Sequence, residues 1–182
     1  TGKEDRLSAM RVAAHLKIPF ETVDLEKEYK RDVVDSFVSE YRAGRTPNPD
    51  VMCNRTIKFG AFWNYAKKAG ADFIATGHYA TRKLEAGSWK LKASKDSEKD
   101  QTYFLYMLTP EQLEHILFPL ANFTKAEVLA KAKELRLPNA DKPDSQGICF
   151  IGEVNIVNFL KSRLPEQAGP IKTIDGQEIG QH

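Results

Sequence analysis

Apolar residues along this chain switch repeatedly between a helical period and short continuous runs. Leu7, Met10, Ala13, Ala14 and Leu16 fall on one stripe at helical spacing, which stops before Ile18-Pro19-Phe20; a short strand through Val23 is predicted next. A second helical face runs through Val33, Val34, Phe37, Val38 and Tyr41 and ends at Ala43-Gly44. A Pro-rich loop follows. Ile57, Phe59, Phe62, Trp63 and Ala66 then predict a helix closed by Gly70. The run Asp72-Phe73-Ile74-Ala75-Thr76 before Gly77 has the continuous apolar character of a buried parallel strand whose carboxyl end opens onto a site.

The pattern then changes. Segments 79–84 and 89–93 flank Glu85-Ala86-Gly87-Ser88 and predict a hairpin. Thr109-Pro110-Glu111-Gln112 and Thr124-Lys125-Ala126-Glu127 both fit a capping box, the first with Pro at the favoured first helical position. A helix is expected over 155–164, before Pro165, and a hairpin over 171–179 folding back at Asp175-Gly176. These last residues are expected to open a separate small β-rich domain, so that the chain divides into 1–165 and 166–182.

Composition narrows the class. The 182 residues, 41% of them hydrophobic, allow one good-sized core and part of a second domain. No stretch approaches the roughly 18 consecutive apolar residues of a membrane span. The net charge of +2 is too near neutral to imply nucleic acid by itself. Local basic clusters carry more information, namely Arg42, Arg45, Arg55 and Lys58, and Lys90, Lys92, Lys95 and Lys99, although each alone is more often a solvated face than a phosphate site.

Only two cysteines occur, 96 positions apart, with His15, His78, His115 and His182 scattered. That spacing lacks the short ligand pairs of a zinc site, and no metal site is expected. Both lie in unusual polar segments, Thr46-Pro47-Asn48-Pro49-Asp50-Val51-Met52-Cys53-Asn54 and Asp144-Ser145-Gln146-Gly147-Ile148-Cys149-Phe150. Polar neighbours of this kind tune a thiol, and the thiolate is the reactive form. Two unrelated buried cysteines are the plain alternative. The order of elements predicts an α/β sheet with a nucleotide-type site at its strand ends, yet no glycine-rich phosphate loop is present. Either the chain is a fragment or its substrate is not a nucleotide.

Four motifs in order carry a resemblance. Gly44-Arg45-Thr46-Pro47-Asn48-Pro49-Asp50 through Cys53-Asn54 with Ile57-Lys58-Phe59, then Ala75-Thr76-Gly77-His78-Tyr79, then Lys99-Asp100-Gln101 with Tyr103-Phe104-Leu105, and Gly147-Ile148-Cys149-Phe150-Ile151-Gly152 resemble the bacterial tRNA-specific 2-thiouridylase family and its organellar relatives. The resemblance covers essentially the whole chain. It implies a Rossmann-like, parallel-sheet adenine nucleotide α-hydrolase-like (PP-loop) domain with a helical extension. It also implies a cytoplasmic enzyme that uses ATP, with Mg2+, to adenylate the C2 oxygen of the wobble uridine of tRNA. Sulfur from a cysteine persulfide then attacks C2 and AMP leaves.

By the same resemblance Cys149 carries the persulfide and Cys53 is the second catalytic thiol, which attacks it to release sulfide or to leave a Cys53–Cys149 disulfide. Both would approach to a Cα separation of about 4.4–6.8 Å. Asn48, Pro49 and Asp50 match the segment that contacts the target base, with Asp50 a candidate acid or base. Gly77 matches a backbone position against the adenine nucleotide. His78 and Lys99-Asp100-Gln101 match tRNA-contacting positions. Tyr103 and Phe104 are suited to stack on bases, but their spacing with Leu105 and Leu108 favours core packing.

The implied partners are the anticodon region of tRNAs for glutamate, glutamine and lysine, and a sulfur donor such as a cysteine desulfurase or sulfur-relay protein. The family's Ser-Gly-Gly-x-Asp-Ser loop, which binds ATP, precedes the matched region, and further domains follow it. The chain is therefore expected to lack the first strand and phosphate loop and to be inactive alone. Three other classes are consistent with parts of the pattern: an amidating PP-loop enzyme indifferent to loss of both thiols, a persulfide carrier that ignores ATP, and a non-catalytic tRNA-binding module.

Overall fold

The computed structural model describes residues 2–143, 155–166 and 168–182. Helix α1 (Gly2–Leu16) ends at Lys17, whose positive φ of 55° lets Lys17 N–H bond to Ala14 O and Ile18 N–H to Ala13 O. Its predicted stripe buries only Ala13, while Leu7, Met10 and Leu16 stay exposed. The strand expected through Val23 does not form: residues 18–25 have no ladder partner among the described residues, and Ile18 and Phe20 are exposed. A strand has no hydrogen bonds of its own, so apolar character alone cannot make one.

Residues 26–42 form one continuous rod. It comprises α2 (Glu26–Tyr29), a π-helical turn (Lys30–Val34) and α3 (Asp35–Arg42). A second rod begins earlier than its apolar period predicted. It runs through α4 (Pro49–Met52), a π-helical stretch (Cys53–Ala61) and α5 (Phe62–Lys68). Tyr29 and Val33 of the first rod pack on Cys53 and Ile57 of the second, forming one small core cluster.

The larger cluster lies beyond the second rod. Strand β1 (Ile74–Ala75) pairs in parallel with β4 (Ile116–Leu117), Ile74 opposite Ile116. This is the parallel sheet that the sequence predicts, but only one face is fully covered here: Ile74 and Ile116 are buried, whereas Phe73 and Leu117 are exposed. The antiparallel hairpin β2 (Ala80–Glu85) and β3 (Ser88–Ala93) forms where expected and turns through Ala86 and Gly87, both at positive φ. Both central residues of such a two-residue turn must enter the left-handed region, because only that twist matches the strands. Phe59, Ile74, Leu105, Leu113 and Ile116 fill the core between rod, sheet and hairpin. Each large side chain buried there contributes roughly 1.5–3 kcal/mol.

Both capping boxes form as read. Thr109 caps α6 (Pro110–Glu114) with Gln112, and Thr124 caps α7 (Lys125–Glu134) with Glu127. Helix α1 docks near the end of α7 through His15 Nε2 against Leu135 O at 3.0 Å and the Lys142–Asp5 ion pair at 2.7 Å. Helix α8 (Ile156–Lys161), capped by Asn155, sets Phe159 edge-on to Phe37 with ring centroids 6.2 Å apart. Strands β5 (Pro170–Lys172) and β6 (Glu178–Gln181) close the predicted second hairpin, all of their residues exposed.

Candidate functional site

The segment read as a Pro-rich loop is a loop only as far as Asn48. Asn48 Oδ1 accepts from the backbone N–H groups of Asp50 (3.0 Å) and Val51 (3.4 Å), and Pro49 starts the helix at its first position. Asn48 thereby fixes the direction of the rod, and Asp50 stands half-buried in its first turn. Cys53 sits one turn on, where the α-helix widens into the π-helical stretch. Its side chain is fully buried, 0% exposed, among Tyr29, Val33 and Ile57. Cys149 lies outside the described residues.

The π-helical stretch has visible causes. A Cβ on Gly60 would come within 3.2 Å of Arg55 O, a tight contact that requires this carbonyl to shift by a few tenths of an ångström. Gln112 Nε2 donates to Arg55 O (3.1 Å) and Phe59 O (2.9 Å), satisfying carbonyls that the widened helix leaves open, while its Oε1 accepts the Thr109 N–H of the capping box. One side chain therefore caps α6 and braces the thiol-bearing rod.

Two segments, 76–79 and 101–104, converge on this rod. His78, just after β1, sets its ring 5.9 Å from that of Phe59, and its Nδ1 lies 2.8 Å from Thr76 Oγ1. Burial pushes His78 down to about 4, and the positive charge of Lys58 adds to the shift, so the imidazole is neutral near pH 7. Gln101 Oε1 accepts Tyr79 N–H at 3.0 Å, and Gln101 N–H donates to Tyr79 O at 2.9 Å, a reciprocal pair that mimics a ladder rung. Asn54, 2% exposed, donates from Nδ2 to Phe104 O at 3.1 Å. Its Oδ1 has no partner among the described residues.

Asn48, Pro49, Asp50 and Cys53 thus share a rod to which the segments holding His78 and Gln101 are tied. Gly77 is exposed beside His78; a Cβ there would meet only Leu120 Cδ1, at an ordinary 3.8 Å, so nothing among the described residues demands glycine. Lys99 is exposed, and Asp100 accepts from Thr102 N–H (3.1 Å) and Oγ1–H (2.9 Å). None of these residues lines the cleft of about 680 Å³ between the two rods, which involves Asp24, Glu28, Arg31, Asp32, Asn64 and Lys68. Tyr103, read as core, is 60% exposed.

Three supporting residues escaped the sequence reading. Asn54 lay inside a motif but nothing local marked its bond fifty positions away. Asp96, 8% exposed, accepts from Glu98 N–H (3.0 Å), Lys99 N–H (3.2 Å) and Lys125 N–H (2.7 Å), joining the 94–99 loop to α7. Its place beside Ser94 and Ser97 is a turn signal. Arg82 donates to Leu113 O and Glu114 O, at the end of α6, and lies 4.2 Å over the Trp89 ring.

Residues 1–153 match the family described as tRNA methyl transferase HUP domain. The chain belongs to that family. It is 53% identical over 182 residues to tRNA-specific 2-thiouridylase MnmA 1 of Geobacillus kaustophilus, and 50% identical over 183 residues to tRNA-specific 2-thiouridylase MnmA of Streptococcus pyogenes. Each match takes in all of this chain and 49% of the relative, so the chain spans about half the length of the curated relatives it matches. The α/β arrangement and its parallel pair agree with the predicted fold class. Among the described residues no helix is long and apolar enough to cross a membrane, and no group of three or more His, Cys, Asp and Glu side chains is placed to hold a metal ion.

Proposed function

We propose that the protein is a tRNA-uridine 2-sulfurtransferase that replaces the C2 oxygen of the wobble uridine with sulfur, in a cytoplasmic setting. The observation that carries this reading is the placement of Cys53 one turn into a helix whose start is set by Asn48 and Pro49, with Asp50 in that first turn and His78, Gln101 and Phe104 tied to the same rod. The relatives' names speak of a tRNA-specific 2-thiouridylase, and sulfur delivery needs a thiol.

In this reading Asn48, Pro49 and Asp50 meet the target uracil, with Asp50 as proton relay, while His78, Lys99, Asp100 and Gln101 face the tRNA. His78 acts as a neutral hydrogen-bonding group rather than as a phosphate counter-charge. Gln101 Oε1 is engaged with Tyr79, so Gln101 approaches RNA through its Nε2–H groups. The backbone at Gly77 lies against the adenine nucleotide, which agrees with a glycine that its own fold does not require. ATP, with Mg2+, supplies the activation that makes the C2 oxygen a leaving group.

Cys149 carries the persulfide, loaded by a cysteine desulfurase or relay protein. Its terminal sulfur bonds to C2 as the activated oxygen departs with AMP. The Cys53 thiolate attacks the inner sulfur, breaking the sulfur–sulfur bond and leaving a Cys53–Cys149 disulfide that an external thiol must reduce. Residues 166–182 begin a separate β-rich domain. Acceptors are the tRNAs for glutamate, glutamine and lysine.

The test uses the full-length protein with ATP, a persulfide-loading desulfurase and unmodified tRNA, followed by nucleoside mass analysis. Wild type should yield the mass change of oxygen-to-sulfur exchange, and Cys53→Ser should lose it while the protein still melts cooperatively. Turnover by Cys53→Ser at the wild-type rate, or a product bearing a methyl group instead, would overturn the proposal.

A further inference from the structure

We propose that Tyr103 and Tyr106 form a stacking platform for unpaired RNA bases beside the thiol-bearing rod; this rests on the functional reading above and adds a binding surface to it. The segment around the 3-10 turn Thr102–Phe104 advances three residues per turn, as shown by Phe104 N–H to Gln101 O (3.0 Å), Leu105 N–H to Thr102 O (2.9 Å) and Leu108 N–H to Leu105 O (3.0 Å). Positions three apart superpose in such a turn. Leu105, 1% exposed, and Leu108 face the core, whereas Tyr103 and Tyr106 are 60% and 69% exposed. The apolar stripe thus accounts for the leucines and leaves both tyrosines largely outside the core. The Tyr103 ring is itself braced against Phe104, with centroids 3.9 Å apart.

Location and charge select RNA as the occupant. The Asn54–Phe104 bond fastens this turn to the rod one residue beyond Cys53, and the Gln101–Tyr79 pair fastens its other end beside His78. Arg55, next to Asn54, is exposed and makes no ion pair or side-chain hydrogen bond among the described residues; Lys99, also exposed, precedes the turn. The carboxylate of Asp100, next to Lys99 in the chain, is engaged by Thr102. Exposed aromatic rings flanked by such cations are the physical requirement for holding single-stranded bases, since every base offers a π-face and the backbone carries the negative charge.

The experiment is equilibrium binding of an anticodon stem-loop RNA, with a blunt RNA duplex as control, to the full-length protein and its variants. Tyr103→Ala and Tyr106→Ala should each weaken stem-loop binding by roughly 5- to 150-fold, while Tyr→Phe at either position binds as wild type. Duplex binding and thermal midpoint should not move, and the salt dependence of the Ala variants should match wild type, because stacking releases no counterions. Wild-type affinity in both Ala variants overturns the platform and leaves the functional reading standing. So does equal loss in the Phe variants, or loss of the sulfur-donor protein with RNA binding intact. Failure of the wild type to bind the stem-loop overturns both.

Discussion

His78 provides a sharp quantitative test of the site. Burial and the neighbouring Lys58 charge lower its pKa from 6.5 to about 4. In the unfolded chain the imidazole returns to about 6.5. Between these values the unfolded state binds a proton that the folded state refuses, so the contribution is fully present above about pH 6.5 and is lost as pH falls toward 4. The slope in that window is about 1.4 kcal/mol per pH unit, and the whole loss amounts to about 3 kcal/mol. The assay is urea unfolding of wild type and His78→Gln at closely spaced pH between about 7.5 and 4. Carboxylates titrate in the lower part of this range in both proteins, so the difference between the two curves isolates His78. That difference should favour wild type least at low pH, and the imidazole should titrate near 4 by NMR. A flat difference curve, or titration near 6.5, would refute the reasoning.

Replacing Arg82 by Lys removes a planar group that reaches two carbonyls at the end of α6 while lying on Trp89; a loss of about 2 kcal/mol is expected in urea unfolding, and unchanged stability would show the stack to be incidental. Asp96→Ala strands three backbone N–H groups and should lose about 3 kcal/mol, with Asp96→Asn recovering part of it; calorimetric melts decide the order. Ala86→Gly relieves a non-glycine residue held at φ 49° and should stabilise by about 0.5–1 kcal/mol, whereas Ala86→Val should destabilise; the opposite ranking would place the strain elsewhere.

What the sequence determined by itself was whatever closes within a few residues. The two capping boxes, the Asn48–Pro49 helix start inside a segment otherwise read as loop, and the Ala86-Gly87 and Asp175-Gly176 turns depend on hydrogen bonds and φ values set locally, and the residues that supply them stand side by side in the chain. The motifs holding Cys53, Asp50, Gly77, His78 and Gln101 were also legible, as residue types at spacings.

Tertiary structure decided what those residues do. Residues 18–23 looked like a strand and are not one, because a strand exists only through its neighbour. The π-helical widening after Cys53 is braced by Gln112, more than fifty positions from Arg55, reaching the carbonyls of Arg55 and Phe59. The neutrality of His78 follows from burial near Lys58, and the exposure of Tyr103 from a three-residue period that helical spacing conceals. For the missing strand, the bracing by Gln112 and the neutrality of His78, the deciding energy is desolvation or a hydrogen bond between groups far apart in the chain, which no short window of sequence contains.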